Sequence, residues 1–208
     1  MTEVGGCGRC CCTFLVTLGL TALFLWLSLK TSNPSCSIQS FYIPALKKSL
    51  DSSNTSINYL LQLKNENKDK GVYYDALDLS FYYGKNRDNF IKNVSLPGFY
   101  QGHGNKAKRY ESMANSGNFV KKANEDIPSP GKAVFRVDLV TAVRFKIVFF
   151  KTKRHHIAVH ADVEVDDSGQ MVKKKGVKFT SGASKLCSCY PAPAMAFWFL
   201  FFYLIFFV

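Results

Sequence analysis

Hydrophobic and polar positions divide this chain into three parts with different patterns. From Thr13 to Leu29 (TFLVTLGLTALFLWLSL) 17 residues carry no charge, and Cys10 to Cys12 extend the uncharged run to 20. At ~1.5 Å per residue, such a run crosses a ~30 Å hydrocarbon core as a helix, the form in which backbone groups satisfy one another. One transmembrane helix is therefore expected at 13–29, after a short Cys-rich tail at 1–12. A cleaved signal peptide is the alternative. Its apolar core usually runs ~7–15 residues before a small-x-small site, and Ser28-Leu29-Lys30 and Ser32-Asn33-Pro34 match that poorly.

Beyond Lys30 the period changes to two. Cys36 to Ile43 is β-branched and aromatic, and Pro44 closes it. Ile57, Tyr59, Leu61 and Leu63 share one face, as do Leu77, Leu79, Phe81 and Tyr83. The polar turns Asn65–Gly71 and Gly84–Asp88 separate these runs. Val94–Tyr100 contains Pro97, which suits an edge strand or a bulge. Residues 101–131 are weakly patterned and read as long loops. Order returns with Phe135, Val137 and Leu139, then Val143, Phe145, Ile147 and Phe149, and finally Ile157 to Val165. About seven strands, each with one apolar face and none with a helical stripe, predict an all-β domain over 30–180. The expected form is a seven-stranded immunoglobulin/fibronectin-like antiparallel sandwich. Some 25 apolar side chains, at ~1.5–3 kcal/mol each, offset the chain entropy of such a domain.

The last part is apolar again: Ala194 to Val208 (AMAFWFLFFYLIFFV). Upstream stand Ser181, Gly182, Ala183 and Ser184, then a nine-residue spacer. Small residues, a spacer of ~8–12 and an apolar tail of ~10–20 make a glycosylphosphatidylinositol attachment signal. Residues 181–208 are expected to be that signal, with Ser181, Gly182 and Ser184 as candidate attachment residues, or else a second membrane segment.

Composition sharpens the picture. The net charge is +12, and residues 30–184 hold 25 of 27 bases and 14 of 15 acids, about +11. A basic surface points to polyanions. The expected span argues against nucleic acid, and no zinc spacing or ribonucleoprotein motif argues for it. Anionic lipid or acidic wall polysaccharide is the expected partner. Lys151, Lys153 and Arg154 form one candidate contact with His155 and His156 in a basic turn, and Lys173, Lys174 and Lys175 another. Cys10, Cys11 and Cys12 at the mouth of the span are candidate palmitoylation sites. Cys36 would stand alone if the tail with Cys187 and Cys189 were removed. Orientation follows from two sequons, Asn54-Thr55-Ser56 and Asn93-Val94-Ser95. They put the main domain outside the plasma membrane, glycosylated at Asn54 and Asn93, with the N-terminus cytosolic.

Catalytic signatures are missing: no G-x-S-x-G elbow, H-E-x-x-H, P-loop or Rossmann glycine pattern occurs. Asp162, Glu164 and Asp166 read as a solvated strand face. His156 and His160 lie ~13 Å apart on a strand, too far to share a metal. No catalytic residue, metal or cofactor is expected.

Several blocks carry a family resemblance: CSIQSFYIPAL (Cys36–Leu46), NKDKGVYYD (Asn67–Asp75), FYQGHGNKAK (Phe99–Lys108) and AVFRVDLVTAVRFKIVFFKTKRHHIAVHADVEV (Ala133–Val165). They are similar to the plant non-race-specific disease resistance and harpin-induced-like family, which carries the late embryogenesis abundant group 2 domain. The resemblance implies a seven-stranded sandwich at the plasma membrane, acting in hypersensitive-response signalling and membrane–wall contact. A cytosolic signalling partner would meet the short N-terminal tail. Relatives commonly place an asparagine where Asn65 stands. A lipid-binding, stress-protective sandwich is the alternative function, and it would need an apolar cavity between the sheets.

Overall fold

The computed structural model describes residues 5–47, 55–87, 89–114, 131–147 and 149–181. The chain opens with helix α1 (Gly5–Leu29). Side chains along it are described from Cys12 to Phe24 and at Trp26, and among them Phe14, Leu18, Leu20, Phe24 and Trp26 are half or more exposed. The Thr17 and Thr21 hydroxyls donate back to the Phe14 and Leu18 carbonyls at 2.9 and 2.8 Å, which leaves little polar surface on those turns. Among the described residues no helix is long and apolar enough to cross a membrane. The transmembrane helix expected at 13–29 is therefore not found among the described residues; what is observed over them is the helical conformation of α1.

Two antiparallel sheets follow in a sandwich-like arrangement. The strands are β1 (Ser35–Tyr42), β2 (Ile57–Lys64), β3 (Gly71–Tyr74), β4 (Leu77–Tyr83), β5 (Asn89–Leu96), β6 (Phe99–Gln101), β7 (Lys106–Met113), β8 (Ala133–Ile147), β9 (Phe150–Lys151), β10 (His155–Val165), β11 (Val177–Lys178) and β12 (Thr180–Ser181). One sheet has the order β11-β1-β2-β7. The other is built on the 15-residue β8. One edge of β8 carries β10, and the other carries β3 along its C-terminal half and β4 along its N-terminal half. Inward side chains of both sheets meet as rings: Phe41 and Tyr59 from the first lie 6.4 and 5.0 Å from Phe81 of the second, and Phe41 lies 5.7 Å from Phe135. The rings of Phe41, Tyr59, Phe81 and Phe135 thus meet between the two sheets.

Among the described residues twelve strands are observed rather than seven. One expected strand path, Val94–Tyr100, is broken at Pro97–Gly98 between β5 and β6, and β3 is a strand where none was expected. Three strands are two-residue pairings. β7 occupies the stretch read as loop. It is a sheet edge with most of its side chains in solvent, so no apolar alternation marks it. Conversely, two expected strands are one in β8, because the buried Thr141 continues the inward row between Leu139 and Val143. His155 and His156 open β10 instead of sitting in a turn. Phe149, expected on the apolar face, is 97% exposed.

The turn after β10 locks onto the end of β1. Asp166 Oδ1 accepts the backbone N–H groups of Ser168 and Gln170, each at 3.0 Å, and the Ser168 hydroxyl. Partial burial raises the carboxyl's pKa, but these bonds outweigh it and hold the group below its ordinary value. Gly169 has φ +77° and gives its carbonyl to the Ile43 N–H at 2.9 Å. A Cβ there would run into the Ile43 carbonyl. Gly169→Ala should therefore lower domain stability by about 1–3 kcal/mol, read as a shifted urea midpoint at unchanged slope. A wild-type midpoint would show that the turn relaxes at no cost.

Candidate functional site

The end of the sandwich nearest α1 holds a connected network of buried polar side chains. β1 begins there at Ser35, opposite Lys64 at the close of β2. The loop 65–70 then carries the chain into the second sheet, where Gly71 pairs with Lys146. A loop crossing between sheets has carbonyls and amides with no ladder partner, and burying them requires substitutes. Asn65 supplies them. Fully buried, its amide donates to the carbonyls of Lys70 (2.7 Å) and Gly102 (3.1 Å), and its Oδ1 accepts from the N–H (3.1 Å) and Nδ2 (2.9 Å) of Asn67. Asn67 reaches outward to Ser32, accepting its N–H and donating to its carbonyl, both at 2.8 Å. The side chain thus acts as one more strand rung, holding the segment that leaves α1.

Gln101 extends this network, donating to the carbonyls of Leu63 and Asn105 at 3.0 and 2.8 Å and accepting the Tyr74 hydroxyl at 2.8 Å. Burial, with a smaller contribution from Cys36, raises the Tyr74 pKa above the usual phenol range. Cys36 is a buried free thiol, pushed up to about 12 by loss of solvent. It is inert at neutral pH.

Outside this network lies an aromatic and basic surface. The Tyr73 and Tyr100 rings sit 4.6 Å apart. Lys151 Nζ stands 4.2 Å from the Tyr73 ring centre, and Lys146 Nζ 5.9 Å from that of Tyr100. Tyr100 lies across Gly71, where a side chain would meet its ring. Beyond Lys146 and Lys151 the chain turns at the β8–β9 tip, with Phe149 and Phe150 exposed at 97% and 54%.

The residues singled out from sequence fall in several places. Lys151 joins the aromatic surface, and Lys153 is exposed beside it. Arg154 is partly neutralised, since its Nε lies 3.0 Å from Asp75, which also pairs with Arg144 at 3.0 Å. Lys173, Lys174 and Lys175 sit in an exposed turn before β11, whose Gly176 lies against Ile38 and Gln39 of β1. The fold does not bring the two basic candidates into one patch. Asn93 is exposed on β5, opposite Ser80. Ser181 ends β12, which runs antiparallel to β10 and so toward the α1 end. Cys12 is a half-exposed free thiol on α1. Cys10 and Cys11 lie in the same helix, their side chains outside the described residues, as are Asn54, Gly182 and Ser184. The acidic ladder divides: Glu164 lies 3.8 Å from Lys132, and Asp166 caps its turn. A surface groove of about 430 Å³ beside β1 is lined by Gln39, Tyr42, Gln170, Met171 and Lys174 among others.

No family model matches the chain. It is 46% identical over 191 residues to Protein NDR1 of Arabidopsis thaliana, covering 88% of this chain and 86% of that protein. The chain belongs to the NDR1/HIN1-like family. This is the plant disease-resistance family that its sequence blocks resemble. NDR1/HIN1-like protein 3 of the same plant is 31% identical over 168 residues, 74% of this chain and 68% of that one. A solved structure of a putative late embryogenesis abundant protein overlays with a TM-score of 0.42 at 9% identity, over 74% of this chain and 84% of that one.

In this NDR1/HIN1-like chain, Asn65 was legible only through its relatives, and what it holds was not. The exposed Phe149-Phe150 pair beside Lys151-Thr152-Lys153 was a signal within the sequence, since two consecutive rings cannot both face a core from one strand. Asn65 also yields a pH-dependent expectation. Asn65→Asp keeps the shape but aims a carboxylate at two carbonyls, raising the folded-state pKa above the unfolded value near ~3.9. The cost at pH 7 should be about 3 kcal/mol or more. It should shrink as pH falls through that raised value, because the protonated acid can donate to one carbonyl. Urea melts of the wild type and the variant at pH 7 and pH 5 check this, and a pH-independent gap would contradict it.

Proposed function

We propose that this NDR1/HIN1-like chain is a membrane-anchored plant immune signalling protein that supports disease resistance and the hypersensitive response. In this reading the 20-residue uncharged run of the sequence, 10–29, crosses the plasma membrane as the helix α1, residues 1–12 reach a cytosolic signalling protein, and the sandwich lies outside against acidic wall polysaccharide or anionic lipid. The observation that carries it is the 46% identity to Protein NDR1 across 88% of the chain. Several features support it. The described turns of α1 are apolar on every face, with their threonine hydroxyls turned back on the backbone. Asn93 sits level with Asp138 on β8, eight residues or about 26 Å from the Lys146 end, so a sugar there would stand clear of a membrane at α1. Ser181 heads toward the same end as α1, as a lipid attached near Ser181, Gly182 or Ser184 requires. Cys10, Cys11 and Cys12 would take palmitate at the inner face. The chain acts by contact rather than catalysis, and the rings that meet between its sheets support an interaction protein over a lipid carrier.

Topology and activity are tested together. In plant membranes, an N-glycan amidase should shift the gel band of the full chain, and Asn54→Gln with Asn93→Gln should remove the shift. In a plant lacking its own copy, the full chain should restore the hypersensitive response, and a chain deleted for 13–29 should not. An unshifted band refutes the outward domain. Full activity of the deleted chain refutes the anchor.

A further inference from the structure

We infer that the β8–β9 hairpin is a membrane wedge: Phe149 and Phe150 insert into the bilayer surface from which α1 emerges, while Lys146 and Lys151 meet the phosphates of its head groups. The inference rests on the proposed spanning role of α1. Three observations point to lipid rather than to another protein.

First, the tip and the helix share one end of the molecule. Asn67 holds Ser32 by two hydrogen bonds, and the Lys30 N–H still bonds to the Trp26 carbonyl at 3.2 Å. Only about two residues separate helix from clamp, a reach of under ~10 Å. The same loop fixes Gly71, which is level with Lys146, and the hairpin pair Ile147–Phe150 lies one residue, some ~3 Å, past that level. A bilayer that holds α1 therefore lies within reach of the tip.

Second, the tip has the composition of an interfacial anchor. Phe149 is almost wholly exposed and Phe150 more than half, with the partly exposed Tyr100 behind them. Tyrosines at head-group depth and phenylalanines deeper is the order in which a bilayer takes aromatic side chains. Third, the surrounding charge is positive. Glu66 and Asp69 at this end are each paired, with Lys64 at 3.2 Å and Lys70 at 3.1 Å. Lys68, Lys106, Lys146 and Lys151 are exposed beside them, a rim that suits anionic head groups.

The test uses the full chain in phosphatidylcholine–phosphatidylserine vesicles whose acyl chains are brominated just below the head group. Phe149→Trp, in a chain with Trp26→Phe and Trp198→Phe, supplies one reporter. Because position 149 is so exposed, the fold should tolerate it. Phe90→Trp in the same background is the control, since Phe90 is 56% exposed and pairs with Tyr82 at the opposite end. A chain with Trp198→Phe alone reports on α1 through Trp26. The indole at position 149 should shift to the blue and lose most of its emission to bromine, while that at position 90 keeps its emission. An indole at 149 as bright as that at 90, with Trp26 quenched, overturns the wedge and leaves the span standing. An unquenched Trp26 overturns the span itself, whatever position 149 shows. Lys146→Glu with Lys151→Glu should reduce the quenching at 149, and unchanged quenching would overturn the head-group part of the inference.

Discussion

A single buried amide closes the sandwich at the α1 end. Asn65 carries four hydrogen bonds with no contact to solvent, and each partner belongs to a segment that would otherwise end in an unpaired backbone group. Buried polar networks of this kind specify geometry because a partial set is worse than none. Here the geometry specified is the joint between the two sheets and, through Asn67, the departure point of α1. Neither Asp nor Ser could serve, since the site demands two donors and a doubly accepting oxygen from one short side chain.

From that joint the remainder follows a simple division. β8 is the shared spine of the larger sheet, with β3 and β4 side by side along one edge and β10 along the other. Its inward row keeps strict alternation from Ala133 to Ile147, so a one-residue slip would turn Phe135, Val137, Leu139, Val143 and Phe145 to the outside. That penalty fixes the register, and with it the level at which the β8–β9 tip projects. Asp138 and Asp75 brace the outward side, each between two arginines.

How much was legible in the sequence depended on whether a residue answers to its neighbours in the chain or to those in space. Alternation in Ile57–Leu63, Leu77–Tyr83 and Ile157–Val165 marked half-buried strands, and those strands are present. β7 escaped because an edge strand with few buried side chains imposes no pattern, and the unity of β8 was hidden by one buried threonine hydroxyl. The candidate site was harder to see. Lys151 was identified by charge, but its stacking on Tyr73 joins residues 78 positions apart, and no local period reports that. Arg154 looked like a free cation because Asp75, its partner, lies in the break between β3 and β4, 79 positions away in the chain.

The clamp on Ser32 also determines how the domain would bear load. Just past it, β1 runs away from α1 and is zipped to β2 by seven residue pairs from Ser35–Lys64 to Tyr42–Asn58, with Lys178 and Val177 flanking its other side. Tension drawn through α1 and resisted at the far end of the sandwich lies along the strand axis, across the direction of the ladder bonds. The pairs are then strained in shear and must give way together, instead of opening one after another as at a peeled edge. A protein anchored in a membrane and held from outside would be pulled along its stiffest direction.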